Sequence, residues 1–338
     1  MSLMRAEAAE AAAVVARQLR ENHTQLAALG ARLRQHPPRV VVTCARGSSD
    51  HAATYARYLI ETRTGVLTAS VSPSISSVYG VEQDLRNALM LAISQSGRSP
   101  DLLASVAAAK RSGALVLAFC NDSSAPLCAA ADYAISLRAG EERSVAATKS
   151  FIATLSAILQ LTAEWSAQPD LLAASAQLPA ALEAARALDW SAALPVLRSA
   201  EHLYVIGRGL GLGVAQELAL KAKETCGLHA EAHSGAEVQH GPLALLGRNF
   251  PALLLTQDDA TRAGLELLAR ELVSRKVEVL MAGGNVAGVI RLPTLALPPS
   301  LAPIVWAATA YPMLAELSVL RGHDPDRPPH LRKVTETV

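Results

Sequence analysis

Three strand-to-loop junctions in this chain recur at a single spacing. Gly209 follows Gly47 by 162 residues, Thr256 follows Ser94 by 162, and Ala282 follows Cys120 by 162. Each junction closes an expected strand: residues 39–44, 88–93 and 115–120 in the first half, and 202–206, 252–255 and 277–281 in the second. One offset shared by three anchors points to a duplicated unit. Six consecutive apolar residues, as in 88–93, suit a strand buried on both faces. Helical periodicity fills the intervals, and strands alternating with helices at this distance make βαβ units and a parallel sheet. The expected fold is α/β, with two tandem subdomains, each a doubly wound parallel sheet flanked by helices.

The segments follow from this pattern. A helical N-terminal segment over 1–38 (helix 4–34) precedes a first subdomain over 39–165. Its helices are expected at 51–62, 101–112 and 147–165, with a further short strand at 133–137. Residues 166–198 read as a helical connector, 199–322 as the second subdomain, and 323–338 as a C-terminal tail over the active site. Residues 301–320 carry Pro303, Pro312 and Glu316 within an apolar stretch, which suits a kinked, buried helix better than a membrane span. Apolar residues make up 51% of the chain and aromatics 4%, with a net charge of +1, so a base-stacking, basic nucleic-acid surface is not expected. Cys44, Cys120, Cys128 and Cys226 form no CxxC pair, which suits a reduced, cytoplasmic protein. Residues 1–20 read as an amphipathic helix and not a signal peptide, with Met1-Ser2-Leu3 as an extension ahead of a native start at Met4.

The loop Ser94-Gln95-Ser96-Gly97-Arg98-Ser99 offers three hydroxyls, an amide and a flexible glycine before a helix opened by Pro100. One serine is enough to cap a helix; this loop has more donors than a cap uses, which suits a phosphate held without metal. At the matching place the second half has Thr256-Gln257-Asp258-Asp259, whose carboxylates repel an anion. Gly207, Gly209, Gly211 and Gly213 do not spell GxGxxG, because Leu212 holds the third glycine position, and no GxxxxGK[ST] occurs. Those glycines suit a tight strand-to-helix turn.

Glu217, Lys221 and Glu224 fall at i, i+4 and i+7 and share one helix face. Such a row is commonly a solvated, salt-bridged surface. This one follows the C-terminal end of a strand, where α/β proteins bind ligands, and runs on into His229-Ala230-Glu231-Ala232-His233 and Glu237-Val238-Gln239-His240-Gly241-Pro242, which together favour a site. His229 and His233 are spaced like a metal pair, but HExxH needs Glu at 230, where Ala stands, so no metal is expected.

With these residues on the page, the chain resembles the SIS (sugar isomerase) family over about residues 39–338. The resemblance rests on Gly47-Ser48-Ser49-Asp50-His51, Ser94-Gln95-Ser96-Gly97, Ser144-Val145-Ala146-Ala147-Thr148-Lys149, Leu220-Lys221-Ala222-Lys223-Glu224, His229-Ala230-Glu231-Ala232, Gln239-His240-Gly241-Pro242-Leu243 and a tail running from Asp326 to Thr335. It is similar to the isomerase half of glutamine–fructose-6-phosphate aminotransferase and to stand-alone SIS-type glucosamine-6-phosphate deaminases. The resemblance implies two SIS subdomains, a homodimer and no cofactor. It implies phosphate binding at Ser48, Ser94, Ser96 and Ser99, with Ser49, Gln95 and Val145 lining the substrate. It further implies Glu224 as the base between C1 and C2, Lys221 at the sugar hydroxyls, His240 reaching in from the partner to open the ring, and Lys333 at the open-chain carbonyl. Arg98-Ser99-Pro100-Asp101 is similar to the deaminases, and no glutaminase segment with its N-terminal cysteine is in the sequence. The expected activity is therefore conversion of glucosamine 6-phosphate to fructose 6-phosphate and ammonia. The alternatives are a plain phosphosugar isomerase, a synthase-like aminotransferase, a deglycase on another amino-sugar phosphate, and a non-catalytic phosphosugar sensor.

Overall fold

The computed structural model describes residues 2–333. In chain order these form α1 (Leu3–Ala9), α2 (Ala11–Gln35), β1 (Val40–Cys44), α3 (Ser48–Thr64), β2 (Thr68–Ser70), α4 (Pro73–Ser77), β3 (Ala88–Ser94), α5 (Pro100–Arg111), β4 (Leu115–Cys120), α6 (Pro126–Ala130), β5 (Tyr133–Ser136) and α7 (Lys149–Ser166). There follow α8 (Pro169–Ala185), α9 (Leu194–Ser199), β6 (His202–Gly207), α10 (Gly211–Cys226), β7 (His229–Ser234), β8 (Ala252–Thr256), α11 (Arg262–Ser274), β9 (Val279–Gly283), β10 (Ile290–Leu292) and α12 (Ala302–Leu320). One unit comprises Ala13–Glu142, Ser150–Ala176 and the chain from Arg332; it holds β1–β5. The other comprises the residues up to Ala12, Arg143–Lys149 and Gln177–Leu331; it holds β6–β10.

The two sheets are copies of one topology. The first runs β2-β1-β3-β4-β5 and the second, read from its other edge, β7-β6-β8-β9-β10, with every neighbouring pair parallel. All seven residues of β3 and all five of β8 are buried, as continuous apolar runs require at the centre of a sheet covered on both faces. Register preserves the 162-residue offset through the first ladders: Cys44 pairs Ala92 as Ile206 pairs Leu254, and Val41 pairs Thr68 as Leu203 pairs Ala230. It breaks at the third anchor. Ser94 pairs Cys120, but Thr256 pairs Gly283. The counterpart of Cys120 is thus Gly283, not Ala282; one extra residue lies between β8 and β9.

Other differences from the expected elements have local causes. The N-terminal helix is interrupted at Glu10, giving α1 and α2. Helix α3 starts at Ser48, three residues before the expected 51, so Ser48 and Ser49 belong to its first turn. Strands β2, β7 and β10 lie at sheet edges; β2 and β10 have three residues each, and β7 (His-Ala-Glu-Ala-His-Ser) contains no β-branched residue to announce it. Helix α12 contains Pro312 as expected; it is long and apolar enough to cross a membrane, but 72% of its most apolar window is buried inside the protein, against α10 and α1.

Candidate functional site

In the β1–β5 unit the strand order reverses direction between β1 and β3, the switch point at which open α/β sheets form a ligand crevice beyond the C-terminal strand ends. Ser48, Ser49, Ser94, Gln95, Ser96 and Ser99 all sit on those two loops and the helix starts they feed. Ser94 shapes its own loop: its hydroxyl accepts the Gly97 N–H at 3.0 Å. Gly97 has φ +63°, and a Cβ there would lie 2.6 Å from Cys120 Sγ and 2.7 Å from the Ala125 Cβ. Only glycine fits. Ser99 occupies the N-cap position of α5, yet its side chain makes no capping bond. Arg46 Nε and Nη2 donate to Asp101 Oδ2 at 3.1 and 2.8 Å, joining the loop after β1 to the first turn of α5. Arg98 pairs with Asp122 at 2.8 Å; the Ser124 hydroxyl first, and then this Arg98 bond, pull the Asp122 carboxyl down to about 2.

The matching crevice of the β6–β10 unit is filled. Gln257, the counterpart of Gln95, is buried; its amide donates to Arg208 O at 2.6 Å and to Asp259 and Thr261 at 3.1 Å. Asp259 in turn accepts from the Thr261 amide and hydroxyl at 2.8 and 2.6 Å. The glycines before α10 serve the tight turn, because a Cβ on Gly207 would lie 2.6 Å from Gly211 O.

Helix α10 carries the charged row on one face, but the row is not a solvated surface. Lys221 Nζ lies 3.3 Å from Glu217 Oε1 and 2.6 Å from Glu224 Oε2; the Lys221 and Glu217 side chains are 1% and 0% exposed, while Glu224 keeps 20%. Tyr311 Oη donates to Glu217 Oε1 at 3.3 Å. Burial by itself would lower the Lys221 pKa, but the two carboxylates outweigh it and hold the ammonium above its ordinary value. The strand-end argument does not account for this cluster. Glu224 stands in the last turn of a helix that begins at Gly211, about 20 Å along the axis from the C-terminal end of β6.

The histidines of β7 are also differently disposed from the expected cluster. His229 faces His202, Nδ1 to Nδ1 at 3.1 Å, and the His233 ring meets Tyr204 edge-on with centroids 4.6 Å apart. His240 is exposed in the turn after the 3-10 segment Glu237–Gln239, where Gly241 has φ +129°. In the same unit the Val145 amide donates to Asp326 O at 3.2 Å, while the buried Glu7 carboxylate accepts the Arg143 and Ser144 amides. In the β1–β5 unit Lys333 Nζ lies 2.9 Å from Glu142 Oε2, a fully buried carboxylate that also accepts the Ser150 amide and hydroxyl at 3.1 and 2.6 Å. The rest of the predicted tail, 334–338, lies outside the described residues. Sequence reasoning missed the partners Asp101, Glu142, Glu7 and Tyr311. Asp101 stands 55 residues from Arg46 and Tyr311 stands 94 from Glu217, beyond any local spacing rule.

Two parallel five-stranded sheets with donor-rich loops at one switch point define a tandem sugar-isomerase architecture, and the SIS domain matches residues 35–163 and 196–285. The chain belongs to the SIS domain family. It is 33% identical over 310 residues to the isomerizing glutamine–fructose-6-phosphate aminotransferase of Legionella pneumophila (strain Paris), covering 87% of this chain and 50% of that protein. The chain thus spans about half the length of the curated relatives it matches. Among solved structures, a candidate phosphosugar isomerase from Silicibacter pomeroyi DSS-3 superposes with a TM-score of 0.90 at 39% identity, covering 96% of this chain and 100% of that one. A glucosamine-6-phosphate deaminase from Thermotoga maritima shares the fold, with a TM-score of 0.72 at 18% identity over 96% of this chain and 100% of that one.

Proposed function

We propose that the chain is a phosphosugar isomerase that converts glucosamine 6-phosphate and water to fructose 6-phosphate and ammonia. The observation that carries this reading is the buried Glu217–Lys221–Glu224 row, in which a lysine is held charged and one carboxylate stays open to solvent. An ammonium so held is no base; it donates hydrogen bonds to sugar hydroxyls. Glu224 is then the group that carries a proton between C1 and C2 once the ring is open. His240 of the partner subunit opens the ring in a homodimer, and Lys333 meets the open-chain carbonyl. Ser48, Ser94, Ser96 and Ser99 hold the phosphate, with Ser49, Gln95 and Val145 beside the substrate, so that orientation comes from atoms remote from the reacting carbons. The Legionella relative's name joins amino transfer to isomerisation at fructose 6-phosphate, and amine release is that chemistry in reverse. A reduced, cytoplasmic setting accords with its four free thiols.

The test is to supply glucosamine 6-phosphate and measure ammonia and fructose 6-phosphate together; equimolar appearance is expected. Glu224→Gln should still bind substrate while turnover falls by about 10²–10⁴. Unchanged turnover in that variant removes Glu224 from the mechanism. The Silicibacter relative favours a second reading, isomerisation of a phosphosugar without an amine, and interconversion of neutral aldose and ketose phosphates with no ammonia release would select it.

A further inference from the structure

The serine loops offer neutral donors, yet a sugar phosphate brings up to two negative charges. We propose that Arg46, aligned by the buried Asp101, supplies the positive charge that binds the substrate phosphate; this rests on the phosphosugar reading above. Arg46 directly precedes Gly47-Ser48, at the end of β1, and Asp101 stands in the first turn of α5, just past the loop from β3. The pair therefore ties together the two loops that border the crevice. Asp101 is 1% exposed; its Oδ2 takes two Arg46 N–H groups and its Oδ1 the Leu102 amide, which fixes the carboxylate. Arg46 keeps 54% of its side chain exposed. A guanidinium carries five donors, so a carboxylate that takes two of them orients the fork and leaves the rest for an anion. Arg98, the other cation on these loops, pairs with a carboxylate at the surface: the Asp122 side chain is 39% exposed.

The second copy shows which half of the device is dispensable to the fold. Arg208 stands 162 residues after Arg46, but the position 162 after Asp101 is Ala263. Where the crevice is filled by Gln257, the arginine persists without its aligning carboxylate. A buried aspartate is costly unless it is paired and hydrogen-bonded, and Arg46 with the Leu102 amide supplies both here.

The experiment measures inorganic phosphate binding by calorimetry, and KM and kcat for glucosamine 6-phosphate, in wild type, Arg46→Met, the double variant Arg46→Met/Asp101→Asn, Arg46→Lys and Ser96→Ala. Arg46→Met takes the guanidinium away from the buried Asp101 and can unfold, so the double variant, which removes both charges, is decisive. It should fold with wild-type circular dichroism, bind phosphate at least about tenfold more weakly and raise KM similarly with kcat little changed. Raising ionic strength should weaken wild-type binding more steeply than that of the variant. Arg46→Lys should restore part of the affinity. Phosphate affinity of the double variant within about twofold of wild type overturns the proposal, whatever Arg46→Met does alone. If Ser96→Ala is weakened while the double variant is not, the phosphosugar reading survives and the role of Arg46 falls. If wild type binds no phosphate, both fall.

Discussion

Lys221 shows how much depends on single buried charges. Replacing it by Met takes the ammonium away from the fully buried Glu217 carboxylate, which Tyr311 also contacts, and should cost about 3–5 kcal/mol in urea unfolding. Glu217→Gln/Lys221→Met removes both charges and should recover most of that loss; equal destabilisation of the single and double variants would contradict the ion-pair account. A second residue-scale expectation concerns alkaline pH. Burial pushes the Cys44 and Cys226 thiols up to about 11 and Cys120 up to about 12, against an ordinary 9.0. Each folded pKa lies above its unfolded value, so the neutral thiols stabilise the fold fully below pH 9, and that contribution is lost as pH rises through 11–12. Lys221, also raised, acts in the same direction. Urea midpoints should fall between pH 8 and pH 10.5, and fall less in a Cys44→Ala/Cys226→Ala protein. A flat wild-type profile across that window would refute the linkage.

At the scale of elements, what reads clearly in the sequence is whatever is repeated along one segment. The apolar run of β3, the period of α5 and the Glu217–Lys221–Glu224 spacing are each written within a dozen or so residues, and each forms as read. Edge strand β5 forms where expected, but β2, β7 and β10 are not legible, because two are only three residues long and β7 has no β-branched residue. Gly30 makes the same point with a sign. Inside α2 a glycine looks like a weakness, and Ala would stabilise an isolated helix by about 1 kcal/mol. In the folded unit a Cβ at Gly30 would lie 2.6 Å from the Glu164 carbonyl carbon on α7. Gly30→Ala should therefore destabilise by about 1–3 kcal/mol, read as a lowered melting temperature. A raised melting temperature would mean that the two helices do not approach closely.

Over the whole molecule, duplication followed by divergence is the organising fact. The copies share strand order and most of their register, while one crevice is lined by serines and the other is filled by Gln257. Gln257→Ala should lower stability without changing phosphate affinity, whereas Gln95→Ala should weaken phosphate binding with little loss of stability; the reverse pattern in calorimetry and thermal melts would mean that the roles of the copies are misassigned. The homodimer proposal has its own test at this scale. Mixing inactive Glu224→Gln and His240→Asn chains should restore about a quarter of wild-type activity if each site draws His240 from the partner subunit, and none if both groups come from one chain. The sequence by itself determined the α/β class, the duplication, the serine loop and the charged helix face, because each is set by local composition and spacing. Only the tertiary structure decided that the Lys221 row is buried, that Asp101 aligns Arg46, that Glu142 receives Lys333, and that Glu224 stands at the far end of its helix. The Arg46–Asp101 and Lys333–Glu142 pairs join distant parts of the chain, and the burial of the Lys221 row is set by what packs over α10; none of these is written in local spacing.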